Sequence, residues 1–101
     1  MRINFQCSGG FANLQLAYHA DTDGLPTDVA HEILNLVESA GVFDIRQADI
    51  GQTPYGAADL IYYKLLLSDG ERKESLECND ATAPDTLRPL LTHLRNLALD
   101  N

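Results

Sequence analysis

Asp59-Leu60-Ile61-Tyr62-Tyr63-Lys64-Leu65-Leu66-Leu67-Ser68, closed by Asp69-Gly70 and followed by the run 72–78, is the stretch on which the fold turns. Ile61, Tyr63, Leu65 and Leu67 fall on one side of an extended chain, and Leu60, Tyr62, Lys64 and Leu66 on the other, which is the period of two that a strand requires. The first set is apolar throughout and faces a core. The second set is unusually apolar for a solvated sheet surface, so it is open to cover by a helix, by a loop or by a second copy of the chain. Asp69-Gly70 is a turn pair, and the run 72–78 returns with Leu76 and Cys78 facing inward. A β-hairpin is predicted here.

Working outward, the beginning of the chain repeats the pattern. Ile3, Phe5 and Cys7 alternate with Asn4, Gln6 and Ser8. Gly9-Gly10 then supplies positions that take positive φ without steric cost. Leu14, Leu16 and Tyr18 form one face of a second strand, and Asn13, Gln15 and His19 the other. A second antiparallel pair follows from this.

Each hairpin leads to a helix. Leu25-Pro26-Thr27-Asp28 opens the first, with Pro26 suited to the first turn and Asp28 to the positive end of the helix dipole. Val29, Ile33, Leu36, Val37 and Ala40 make its apolar stripe. Gly41 stops it, and Val42 and Phe43 fold back onto the core. In the last helix Leu87, Leu90, Leu91, Leu94, Leu97 and Ala98 form the buried face. Thr82 and Asp85 resemble a capping box, and Pro89 is expected to bend or restart the helix. The longest non-periodic stretch, 44–58, holds Ile50, Gly51, Pro54, Tyr55 and Gly56. The sum is an α+β fold of order ββαββα, a four-stranded mainly antiparallel sheet packed against two helices, in one domain spanning 1–101.

With 101 residues and 45% hydrophobic content, the chain makes one two-layered domain. It is too short for a TIM barrel or for a Rossmann domain with a substrate domain. Fifteen acidic against 7 basic side chains give a net charge of −8. That balance argues against a nucleic-acid backbone or an anionic membrane as the main partner. No apolar run has the length of a signal peptide core or a spanning helix, so a cytoplasmic protein is expected. Cys7 and Cys78 each sit in an alternating pattern and are expected to be reduced and core-filling, with a disulfide between neighbouring strands as the alternative.

Catalytic constellations are missing. Asp21-Thr22-Asp23-Gly24 starts like a calcium loop, but Leu25 and Pro26 stand where an oxygen ligand and a glycine are needed. His19, His31 and His93 sit on separate elements, and His31-Glu32 lacks the histidine that would complete a zinc motif. There is no nucleophile elbow, P-loop or dinucleotide fingerprint. Asp44, Asp49, Asp59 and Glu74 are carboxylates that nothing in the sequence brings across a cleft. Neither an enzyme nor a cofactor is expected.

Arg2-Ile3-x-Phe5 followed by Ser8-Gly9-Gly10-Phe11-Ala12 resembles the start of the emfourin family. The likeness continues through Leu25-Pro26, Leu36-Val37-Glu38-x-Ala40, Val42-Phe43, Asp59-x-Ile61-x-Tyr63-x-Leu65 and Asp69-Gly70. It closes with Pro84-x-x-Leu87-Arg88-Pro89-Leu90-Leu91. The chain departs at Asn13, where members often carry a further glycine, and in the middle loop. Emfourins are small bacterial proteins named for an inhibitor of protealysin, a thermolysin-like zinc metallopeptidase. The resemblance implies a non-catalytic inhibitor of such an enzyme. A monomer or weak homodimer is expected.

Two loops suit that role. Ser8, Gly9, Gly10 and Phe11 form a short stiff turn beside an aromatic. The second loop carries Ile50 and Tyr55 outside any periodic pattern. A rigid loop that offers an apolar anchor and backbone hydrogen bonds fits a cleft built for an extended chain. Arg2 would add a charged rim contact, and the acidic surface would steer a basic partner. The alternative is a non-catalytic interaction or homodimerisation module, using Leu60, Tyr62 and Leu66.

Overall fold

The computed structural model describes residues 1–10, 13–52 and 60–100. Two hairpins build one sheet. Strands β1 (Arg2–Gly9) and β2 (Leu14–Asp21) form the first, and β3 (Ile61–Asp69) and β4 (Arg72–Asn79) the second. The sheet order is β2-β1-β3-β4 with every pairing antiparallel. Each hairpin thus contributes one inner strand and one edge strand. Helices α1 (Thr27–Ala40) and α2 (Arg88–Leu99) complete the order ββαββα, with short 3₁₀ turns at Thr22–Gly24, Val42–Asp44 and Gln47–Asp49.

Alternation decides which side of the sheet is dry. Ile3, Phe5 and Cys7 of β1, Tyr18 of β2, Tyr63, Leu65 and Leu67 of β3, and Leu76 and Cys78 of β4 share the inner face and are buried. Over them lie Ile33, Val37 and Ala40 of α1 and Leu90, Leu91, Leu94 and Ala98 of α2. Among the described residues, no helix covers the outer face. It presents rows such as Ala17-Gln6-Lys64-Glu77 and His19-Asn4-Leu66-Ser75 across the four strands. Tyr62 and Leu66 remain 50% and 36% exposed there, separated by Lys64, so they form no continuous apolar patch.

The first helix starts one residue later than the sequence reading placed it. Pro26 is its N-cap and not a first-turn residue, and Gly41 ends it with φ 64°. Val42 is buried, as expected. Two expectations for the last helix fail. It begins at Arg88, so Pro89 falls in the first turn, where a missing N–H costs nothing, and no bend is needed. Thr82 and Asp85 do not cap it. The N-cap is Leu87, without a side-chain bond, and the Thr82 hydroxyl instead accepts from the Asn79 N–H at 3.0 Å. Asn79 in turn accepts from the backbone of Ala81 and Thr82, so a polar turn after β4 takes the place of a capping box.

The disulfide alternative fails as well. Cys7 and Cys78 are free and buried. Both lie opposite Tyr63, on the strands that flank β3. Two inter-strand spacings separate them by about 10 Å, beyond the roughly 7 Å that a disulfide spans between Cα atoms.

Candidate functional site

The Gly9-Gly10 turn belongs to the end of the sheet where β1 and β4 finish and β2 and β3 begin. Gly9 and Gly10 have φ of 99° and 76°, conformations that suit glycine. Space demands glycine at position 9 and is tight at position 10. A Cβ on Gly9 would sit 2.6 Å from the Leu60 carbonyl oxygen, and one on Gly10 would sit 3.1 Å from Ile61 Cγ1. The Gly10 N–H donates to Leu60 O at 3.0 Å, and the Asn13 N–H donates to Gly10 O at 3.2 Å. Asn13 takes a left-handed φ of 51°. Asparagine tolerates that conformation better than most residues.

The second loop is held at both stems. Before it, the chain leaves α1 and runs along the free side of β4. Arg72 lies 4.4 Å over the Phe43 ring. Gln47 then acts as a substitute strand residue. Its Nε2 donates to Glu77 O at 2.9 Å, and the Glu77 N–H donates to its Oε1 at 2.7 Å. Ile50 follows, half-buried against the core. At the far stem, Asp80 collects the start of β3. Its carboxylate accepts from the Tyr63 hydroxyl at 2.8 Å and from the Ile61 N–H at 3.4 Å. Its N–H donates to Ile61 O. Arg88 donates to its carbonyl at 2.9 Å, which ties the base of α2 to the same corner.

Between the stems lies an open groove of about 510 Å³, bounded by Gln6, Ser8, Ile50, Tyr62, Lys64 and Glu77 among others. Its titratable walls are exposed, with Lys64 paired to Glu77 at 3.8 Å. Nearby groups are kept neutral. Burial, reinforced by the bond to Asp80, pushes the Tyr63 hydroxyl up to about 12. Burial pushes the Cys78 thiol up to about 11 and also raises Cys7. None of the three is a nucleophile near neutral pH. Asp49 pairs with Arg46 at 3.4 Å. His19 bonds Asn4 on the outer face, and His93 approaches Glu32 between the helices. Among the described residues no three His, Cys, Asp or Glu side chains come together as a metal ion would require.

Of the residues singled out from the sequence, Ser8, Gly9, Gly10 and Ile50 belong to this one end of the molecule. Phe11 and Tyr55 lie outside the described residues, as does Asp59. Arg2 stands at the opposite end of β1, about 23 Å along the strand from Gly9, and faces Asp21 at 4.0 Å. Sequence reasoning missed Gln47 and Asp80. Asp80 carried a weak signal, a carboxylate two residues past an inward-facing cysteine. Gln47 carried none, because a side-chain amide that completes a distant strand has no local pattern.

No helix of the described chain is long and apolar enough to cross a membrane. No curated protein and no solved structure matches the chain. The Emfourin family profile matches residues 5–95, a span that runs from the first strand to the last helix and takes in both loops. The chain therefore belongs to the emfourin family.

Proposed function

We propose that this protein inhibits a thermolysin-like zinc metallopeptidase by presenting the Gly9-Gly10 end of its sheet to the active-site cleft. Membership in the emfourin family carries the inhibitor role and is also the ground for a non-catalytic reading. What supports this particular surface is the 3.0 Å bond from Gly10 N–H to Leu60 O, which joins the two loops at one corner. A surface whose stems are already ordered loses little conformational entropy on binding. Ser8, Gly9 and Gly10 supply backbone groups, and Phe11, Ile50 and Tyr55 supply the apolar anchors. Arg2 lies too far along β1 to join a contact confined to this end, so its contribution is a separate one or none. The −8 charge speeds encounter with a basic rim.

The test is titration of the folded protein into a panel of thermolysin-like peptidases with a peptide substrate. Inhibition at micromolar protein or below is expected for at least one enzyme, and no change in rate across the panel overturns the reading. Phe11→Ala and Tyr55→Ala then test the anchors. Loss of potency with an unchanged circular dichroism spectrum is expected for at least one of them, and unchanged potency in both removes this end of the sheet as the contact.

A further inference from the structure

Among the described residues, nothing pairs with the outer side of β2. The Thr22 N–H donates to Met1 O at 2.9 Å, one step beyond the Arg2–Asp21 pair. Antiparallel pairs alternate between bonded and non-bonded. The β2 residues bonded to β1 are therefore Leu14, Leu16, Tyr18 and Ala20, and the backbone groups of Gln15, Ala17 and His19 point away from the sheet. No hydrogen bond reaches those groups from any described residue. Proteins usually blunt such an edge with lysine, proline, a bulge or a covering segment. Here the eight residues LQLAYHAD contain neither lysine nor proline and pair with β1 without a bulge.

We propose that β2 is the interface between two copies of this chain, paired antiparallel about a two-fold axis at Ala17. The strand complements itself in that register. Ala17 meets Ala17 of the second copy, and Gln15 meets His19, so the three outward residues of each strand exchange backbone bonds in phase. The intervening pairs are Leu16 with Tyr18 and Leu14 with Ala20. Leu14, Leu16 and Ala20 are only half-buried in the single chain, and the pairing would merge two inner faces into one core layer. Charge favours the same place. The molecule carries −8 overall, yet no acidic residue falls between Leu14 and Ala20, so the two copies meet where each has least to repel the other. The inference stands apart from peptidase inhibition, which needs only one copy.

Sedimentation velocity of the full chain from about 10 μM to about 1 mM tests it, at about 0.15 M salt to screen the net charge. The weight-average sedimentation coefficient is expected to rise from monomer towards dimer across that range. Ala17→Lys sets two like charges face to face at the axis. Because Ala17 is exposed, the substitution leaves the monomer folded. It should weaken association by about tenfold or more, whereas Ala17→Ser should match the wild type. A wild type that stays monomeric at the highest concentration overturns the proposal. So does an Ala17→Lys variant that associates as the wild type does, since the contact would then lie elsewhere.

Discussion

Strands β2 and β4 are counterparts, each the outer member of its hairpin and each paired with an inner strand. They are finished differently. The outward groups of Glu77 on β4 are taken up by the Gln47 amide, and Phe43 and Arg72 stack further along. On β2 the outward groups of Gln15, Ala17 and His19 meet nothing in the described chain. The cause is connectivity. The segment after α1 must travel back to start β3, and it closes the β4 edge on the way. The segment after β2 turns at once into α1, and no described residue covers the β2 edge. Within one architecture, the edge strand is closed at Glu77 in one hairpin and, among the described residues, open in the other.

Core substitutions should sharpen this contrast most. Leu76→Ala on β4 empties a fully buried site and should cost about 2–5 kcal/mol in urea unfolding. Leu16→Ala on β2, where the side chain is half-buried, should cost about half as much or less. Equal losses would mean that the two edges are covered alike.

Alkaline pH acts next, and on the closed side. Tyr63 and Cys78 are held up at about 12 and about 11 in the fold. Unfolded, they ionise near 10.0 and 9.0. Above pH 9.0 the unfolded chain therefore releases protons that the folded chain keeps, and stability falls as pH rises towards 12. Below pH 9.0 these two groups contribute their full stabilisation. Urea midpoints measured across this interval should decline, and Tyr63→Phe should flatten the upper part of the decline.

Opening the closed edge is the third way to break the comparison. Gln47→Ala removes two hydrogen bonds and should cost about 1–2 kcal/mol. Amide exchange gives the more direct measure. At dilution Glu77 should exchange slowly and Ala17 and His19 quickly, and Gln47→Ala should move Glu77 into the fast group. Glu77 protection that survives the substitution would show that something other than Gln47 closes β4. The smallest effect belongs to Arg72→Ala, about 0.5–1 kcal/mol for an exposed cation–π contact.

Both hairpins, α1 and its glycine stop, and the inner-face residues were legible in the sequence because each depends on a local period. Ile3, Phe5 and Cys7 predict their own burial by alternation, and Leu65 and Leu67 do the same. Misreadings arose where two local rules compete. Pro89 reads as a break if the helix starts at Thr82 and as a good first-turn residue if it starts at Arg88, and only the polar turn built on Asn79 decides between them. The candidate site was half legible. The Gly-Gly turn announces itself, whereas its bond to Leu60 joins residues fifty positions apart in the chain. Gln47 and Asp80 act entirely through such distant partners.

The anchoring of both stems of the second loop has a use in protein engineering. Gln47 and Ile50 fix where the segment departs, and Leu60, bonded to Gly10, fixes where it returns. The sheet thus sets the span between those points. The entropy of closing a loop grows only with the logarithm of its length. Libraries that vary residues 53–58 in length and composition should therefore leave the scaffold's melting temperature almost unchanged. A side chain at Gly9, by contrast, would collide with the returning strand itself. The chain is a display frame with fixed stems and a Gly9-Gly10 turn to be left unchanged, which gives a practical route to redirecting it towards other binding partners.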